Sequence, residues 1–389
     1  MLCNSTASRC TRRLRSRWPF HSDRRLWIQR DGLLLIALLA AIALHPSRAG
    51  AVRAADSHGM GQQGQSIPST QASPTDSGPD EEADAPNSVD TVPPPAPVNV
   101  TGRPANELGR VLIMEYHRIA NPEGPWQRAP SGFRRDLQRL YDAGFRSVPL
   151  SDVLANHIDL PLGTSPVVFT FDDSYSSQLW WSADGTPAPD SAVGILEQFA
   201  AQHPDFGMHG VFYVTWNQLF GGPATAGIEK LRYLVQHGFE LGNHSMSHAN
   251  FGAVSSAAVQ QELAQEQALV RQSLDGYEMQ TMALPFGAWP RDKSLAVSGA
   301  SGASKYRFAA VLQVGSEPAP SPASSAFNAI VLPRVQAGEA LLSYWLNWFD
   351  THRDERYVSD GDPSAISFPS RLASRIRKDA GQYWQVIGY

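Results

Sequence analysis

Cysteine is nearly missing from this 389-residue chain: Cys3 and Cys10 are the only two, and both precede the apolar run Gly32 to Leu44. If residues 1–49 are removed, the remainder has no disulfide framework, no thiolate nucleophile and no cysteine metal ligand. Any metal must then be held by His, Asp or Glu. Long hydrophobic runs are scarce as well. The one that stands out, GLLLIALLAAIAL, is shorter than the ~20 apolar residues needed to cross a bilayer. It follows a cluster of arginines and gives way to the small residues of HPSRAGAVRAA, the layout of a secretory leader over residues 1–49. An uncleaved N-terminal anchor is the alternative, and the only route to membrane contact. Either way the remainder is expected outside the cytoplasm, exported to the periplasm, cell envelope or medium.

Positive charge is also lacking downstream. Without the nine Arg and two Asp of residues 1–49 the net charge falls from −5 to −12, a poor match to nucleic acid or anionic lipid. Residues 50–104 have almost no large apolar side chains and are rich in Gln, Ser, Pro, Gly and acids, so they are expected to form a disordered linker. Apolar density then rises and persists. Strand-like VLIMEYH, PVVFTF and GVFYVTW alternate with helical FRRDLQRLYDAGF, AVGILEQFAAQH and GIEKLRYLVQHGF. Leu137, Leu140 and Tyr141 share one helical face and Gly144 supplies a stop; Leu231, Leu234, Val235 and Gly238 repeat the device. The alternation predicts an α/β fold with a mostly parallel sheet, residues 105–350 forming a single domain and residues 351–389 an extension packed on or following it. In barrel forms of such folds the functional residues gather at the C-terminal ends of strands.

Chemistry concentrates at two such ends. FTFDDSYSS follows an apolar strand with adjacent carboxylates, Asp172 and Asp173, which repel each other unless something positive sits between or beside them. ELGNHSMSHANF carries His244 and His248, four apart, a spacing that predicts both imidazoles on one face of a helical turn. Two His and one carboxylate form an open site for a divalent cation. Such a cation relieves the repulsion, one aspartate binding it while its neighbour stays ionised and accepts a proton from water. Ser245 after His244 removes the Glu of His-Glu-x-x-His, which disfavours a metalloprotease of the common type and leaves the base to Asp172. A non-haem iron oxygenase shares the donor set. The second aspartate suits hydrolysis better.

TFDDS, NHSMSH and LPFG, in this order and spacing, resemble the motifs of the polysaccharide deacetylases, carbohydrate esterase family 4 with the NodB-homology domain, over roughly residues 108 to 340. The resemblance implies a distorted (β/α) barrel that removes acetyl groups from an acetylated polysaccharide with a divalent metal, zinc in many members. It implies Asp172 as catalytic base, Asp173, His244 and His248 as metal ligands, and the Phe286 N–H as an oxyanion donor. Three departures stand out. The late strand AIVLPRVQA holds Pro333 and Arg334 but no histidine, where most members keep their general acid in a Leu-x-His motif. VLIMEYHRI is similar to relatives with an early Tyr-His, as in poly-N-acetylglucosamine deacetylases, so His117 is taken as the acid and Tyr116 as a substrate contact. Ala283 stands where an Arg commonly orients the base, and Arg334 is expected to supply that charge; Ser174 replaces the usual Gly and alters only the turn. Trp180 and Trp181, on a long loop, are candidate sugar platforms, whereas the helical spacing of Trp345 and Trp348 favours core. The expectation is an exported metal-dependent deacetylase acting on an N-acetylglucosamine-type, cell-wall or other acetylated glycan. The alternative from another class is a catalytically silent carbohydrate-binding protein of the same fold.

Overall fold

The computed structural model describes residues 99–389; the leader expected over residues 1–49 and residues 50–98 of the expected linker lie outside the described residues. Among the described residues no helix is long and apolar enough to cross a membrane. The strands that matter are β1 (Arg110–Tyr116), β2 (Phe145–Ser147), β3 (Ser165–Phe171), β4 (Val211–Val214), β5 (Glu240–Asn243), β6 (Thr281–Ala283), β7 (Ala310–Leu312) and β8 (Val335–Gln336). The helices are α1 (Pro130–Asp142), α2 (Leu150–Ala155), α3 (Ala192–Gln202), α4 (Ala224–Gln236), α5 (Ser256–Ser273) and α6 (Glu339–Thr351).

β1 pairs in parallel with β3, Leu112 opposite Val167 through Tyr116 opposite Phe171. The sheet then runs through β4, β5, β6 and β7, every pair parallel, with β2 beside the first half of β3. On the far side of β1 lies β8, Met114 opposite Val335, and just upstream Leu332 bridges Leu312 of β7 in parallel. One late segment therefore touches both ends of the parallel path, and the sheet curls into a distorted (β/α) barrel. The short strand Ala319–Pro320 pairs antiparallel with the start of β1.

β1 and β3 are buried along nearly their whole length, as strands of a covered parallel sheet must be. Side chains alternate between faces. Leu112, Met114, Tyr116, Val167, Phe169, Phe171 and Phe212 point outward into the main core with Phe133, Leu137 and Leu140 of α1 and Leu196 of α3. Val111, Ile113, Val168, Val211, Tyr213, Leu312 and Leu332 point inward and fill the barrel. The inward row continues toward the C-terminal ends as Glu115 and His117 after β1, and as Thr170 and Asp172 after β3. The same two-residue period that packs the barrel thus aims polar groups at its mouth.

Helix signals match the sequence. Ser191 and Ser255 cap α3 and α5 through Gly194 N–H and Ala258 N–H, and Gly144 after α1 takes φ 83°, a left-handed value that suits glycine. Trp345 is buried in the main core and Trp348 packs against it.

The residues after 350 pack onto the domain. Tyr357 donates from its hydroxyl to Glu107 (3.0 Å), Ser367 N–H donates to the same carboxylate (2.9 Å), and the Arg356 guanidinium lies 4.2 Å over Phe145. Burial pushes the Glu107 carboxyl up to about 8. The basic segment RLASRIRKDAGQYW forms two short 3-10 turns, Ser370–Arg375 and Ala380–Gln382. Leu372 is anchored in a small core with Ile366 and Phe368, and Ile376 bridges Ser324 in extended form, which interrupts any continuous helix.

Gly109 marks the tightest point of this packing, because a Cβ there would lie within 2.2 Å of the Arg356 carbonyl group. Gly109→Ala is expected to destabilise the protein by about 1–3 kcal/mol or more, lowering Tm by several degrees in calorimetry. An unchanged Tm would show that the tail is not held as described.

Candidate active site

Adjacent residues on a strand point to opposite faces, so Asp172 and Asp173 meet at one site only if the strand is broken between them. The break is in the backbone: Asp173 has φ 74° and Ser174 φ 52°, left-handed values that non-glycine residues adopt at a cost. Ser174, where glycine would be easier, gains a compensating contact, its Oγ accepting from Thr215 N–H at the end of β4 (3.1 Å).

The histidine motif does the same. Residues 244–248 are not helical, contrary to the expectation from their spacing: Ser245 (φ 69°) and His248 (φ 57°) fold them into a tight irregular bend. Two features favour the bend over a helix. Asn243 Oδ1 accepts Ser245 N–H (3.0 Å), and α5 presents two carboxylates one turn apart, Glu266 accepting His244 N–H (3.2 Å) and Glu262 accepting Ser247 N–H (2.8 Å). These groups take the N–H bonds that a helix would have used.

The bend brings three ligand atoms together. Asp173 Oδ1 lies 3.2 Å from His244 Nε2 and 3.1 Å from His248 Nε2. His244 Nδ1 lies 2.8 Å from the Ala283 carbonyl, so Nδ1 carries the proton and Nε2 turns its lone pair inward, the tautomer a metal ligand needs. Ligands on a tetrahedral ion with bonds of about 2.0–2.1 Å sit about 3.3 Å apart. The residues therefore fit a divalent cation held by Asp173, His244 and His248.

Asp172 faces the same centre, its Oδ2 4.0 Å from His244 Nε2, and is gripped from behind by Arg334. Arg334 Nη1 donates to Asp172 Oδ1 (2.8 Å) and Nη2 to Oδ2 (2.7 Å), a bidentate fork closed off from solvent. Burial alone would raise the Asp172 carboxyl, but Arg334 and His244 outweigh it and hold it well below the usual carboxylate range. Burial likewise works against protonation of His244, and Asp172 and Asp173 reverse the sign, leaving its pKa raised. His248 is lowered by burial and by His244.

His117 lies next to Asp172: a ring nitrogen of His117, a carboxylate oxygen of Glu115 and one of Asp172 all lie within 4.8 Å of one another. Its ring packs 4.8 Å from Trp126, which is 42% exposed. The side-chain amide of Gln178 donates to the carbonyls of both His117 (2.9 Å) and Asp172 (2.5 Å), clamping the two strand ends together. On the opposite flank, Phe286 has φ 58°, exposes 64% of its surface and packs its ring 4.4 Å from His248. Among the described residues its N–H makes no backbone hydrogen bond.

The structure thus brings together Asp172, Asp173, His244, His248, His117, Phe286 and Arg334. Two other expectations fail, for Tyr116 and Trp181. Tyr116 is not a substrate contact: it is 1% exposed, points outward by strand alternation, packs on Phe133 and Phe171, and donates to Asp136 (3.1 Å). Trp181 packs edge-on against Tyr233 of α4 and joins the main core rather than offering an open platform. Trp180 is half-buried. The exposed aromatics beside the centre are Trp126 and Phe286. Reading the sequence also passed over Glu115, Gln178 and Glu266. Glu266 had a visible signal, a carboxylate on the buried face marked by Val259, Leu263 and Val270.

Residues 160–302 match the model of the polysaccharide deacetylase family, a stretch that includes both aspartates, both histidines and Phe286 but not Glu115, His117 or Arg334. No curated protein matches the chain significantly. Among solved structures the chain is similar to the deacetylase PplD of Streptococcus pyogenes in complex with acetate (16% identity, 59% of this chain and 92% of that one, TM-score 0.45). It is similar to IcaB from Ammonifex degensii (16%, 62% and 97%, 0.45) and to BC0361, a polysaccharide deacetylase from Bacillus cereus (15%, 58% and 64%, 0.43).

A proton on His244 Nε2 competes with a cation for the same lone pair. Because the metal-free His244 pKa is raised, divalent-cation affinity is expected to fall as pH drops through that value, with proton release on binding, in calorimetric titrations across about pH 5 to 8. Affinity independent of pH over that range would exclude His244 as a ligand.

Proposed function

We propose that this chain, whose residues 160–302 match the polysaccharide deacetylase family model, is an exported, zinc-dependent hydrolase that removes acetyl groups from an N-acetylglucosamine-type or similarly acetylated glycan. One observation carries the reading: a carboxylate kept ionised and oriented by a buried guanidinium fork, Asp172 on Arg334, stands beside a separate Asp-His-His ligand set. A binding protein has no use for that division between ligand and free base. Two neutral imidazoles and one carboxylate favour zinc. Export rests on the arginine cluster and short apolar run of residues 1–49.

The roles follow from position. A zinc ion held by Asp173, His244 and His248 would polarise the acetyl carbonyl and acidify the attacking water. Asp172 accepts the water's proton; Arg334 fixes both of its oxygens, so the carboxylate meets the water in a single orientation. The Phe286 N–H, free of backbone partners, is available to the oxygen that gains negative charge. His117 gives a proton to the departing nitrogen or oxygen of the sugar. Trp126 and Phe286, exposed on the two flanks, offer rings to sugar faces.

The metal-stripped protein, reloaded with zinc, is expected to release acetate from acetylated chito-oligosaccharides. Asp172→Asn is expected to lower kcat by about 10²- to 10⁴-fold with zinc content unchanged. Glycan binding without acetate release would favour the silent binding protein. In Arg334→Ala the Asp172 carboxyl loses the charge that lowers its pKa. The acidic limb of kcat/KM is therefore expected to move to higher pH, and an unmoved limb with unchanged kcat would remove Arg334 from the mechanism.

A further inference from the structure

We infer that Glu115 is a positioning residue that joins the two proton-handling halves of the site, its carboxylate bracing Arg334 on one side and the His117 ring on the other. The inference rests on the hydrolase reading above for the roles of Asp172 and His117.

Glu115 is an unusual side chain for its place. It sits in the strand RVLIMEY, closed off from water, where an unpaired carboxylate costs several kcal/mol. Strand alternation places it on the inward face, one step below His117, and the β1–β3 register sets it opposite Thr170, one step below Asp172. Its carboxylate oxygen Oε1 lies 3.2 Å from Arg334 Nη2, the same nitrogen that donates to Asp172 Oδ2. Asp172 already neutralises Arg334 through two hydrogen bonds, so an ionised Glu115 is surplus to that pair; burial pushes its carboxyl up to about 7 against the pull of Arg334, and a further donor would favour the ionised form.

One neighbour of that carboxylate lacks a partner of its own. His117 Nδ1 is buried and has no hydrogen-bond partner, and neither Glu115 oxygen accepts a hydrogen bond of good geometry. Both groups lack partners, and a ring nitrogen of His117 lies within 4.8 Å of a Glu115 oxygen in the cluster they share with Asp172; an imidazole N–H and a carboxylate are complementary. A carboxylate behind the ring fixes the tautomer and orientation in which the other nitrogen faces substrate. A purely structural role would be served by Arg334 alone. Glu115 is placed to hold the acid and, through Arg334, the base at a constant separation.

In the zinc-loaded enzyme, E115Q is expected to lower kcat by about 10- to 100-fold with KM unchanged. Because Glu115 acts in large part through His117, E115Q is expected to cost clearly less in the H117A background than in the wild type. An unaltered kcat in E115Q, or losses that multiply in the double variant, would overturn the inference. A readout independent of turnover separates its failure from failure of the hydrolase reading. In ¹⁵N-histidine NMR of the wild-type protein, the His117 Nδ1–H is expected as a carboxylate-bonded resonance, assigned by its loss in H117A and shifted in E115Q. A His117 resonance identical in wild type and E115Q would sink the pairing even in an inactive protein. If E115Q does not fold, E115D keeps the charge and shortens its reach; it is expected to show the same kcat loss and His117 shift, and their absence would count equally against Glu115.

Discussion

The guanidinium of Arg334 is the point on which the site turns. A buried arginine is tolerable only when its donors are met, and here every nitrogen finds an acceptor: Nε the Gln313 carbonyl (2.9 Å), Nη1 Thr170 Oγ1 (3.0 Å) and Asp172 Oδ1, and Nη2 Asp172 Oδ2, with the Glu115 carboxylate 3.2 Å from Nη2 as a further ion-pair partner. Those partners come from β1, β3 and the segment after β7. Arg334 itself belongs to the stretch between Leu332, which bridges β7, and Val335, which pairs with β1. Bringing the sheet's two ends together and orienting Asp172, the proposed base, are therefore one structural event. Gly315 makes room for it, since a Cβ there would lie 2.6 Å from the Arg334 carbonyl oxygen.

Around this anchor the mouth of the barrel is built from turns that break strand alternation. Left-handed non-glycine residues fall in all three motifs: Asp173 and Ser174, Ser245 and His248, and Phe286. Such residues are strained, and neighbours hold Ser174 and the 244–248 bend in place, the first on Thr215 and the second on Glu262 and Glu266. The strain has a chemical result. Two sequence-adjacent carboxylates, which a regular strand would separate onto opposite faces, reach one centre at different depths, one against the arginine and one against the histidines. That difference in surroundings suits the two aspartates to the different roles proposed for them.

Sequence pattern revealed the parts governed by short-range rules. The strand–helix alternation, the glycine stop after α1 and the polar residues at strand ends follow from periodicity and local backbone preference. What it missed depends on contacts far along the chain. The four-residue spacing of His244 and His248 is equally compatible with a helix and with a bend, and the choice falls to Glu262 and Glu266, about 20 residues later. Trp181 reads as an exposed loop aromatic until α4 presents Tyr233 to it. Glu115 was legible in principle as a carboxylate within an apolar strand in register with His117, but its partner Arg334 lies more than 200 residues away.

Tyr116 and His117 show how one dipeptide serves both faces of a strand. His117 turns inward to the site, while Tyr116 turns outward and donates to Asp136 of α1. Asp136 is also gripped by Arg128, through Nε at 2.8 Å and Nη2 at 2.6 Å. Arg128 ends the loop that carries Trp126 back over His117, so the outward tyrosine helps fix, through two buried partners, the aromatic ring that lies against the inward histidine. A residue read as touching substrate instead acts through the scaffold. Its contacts require an aromatic ring bearing a hydroxyl: the ring fills space between Phe133 and Phe171, and the hydroxyl completes the Asp136 pair. Phenylalanine would keep the first and leave a buried carboxylate oxygen short of a donor, weakening the hold on the loop rather than the packing of the core.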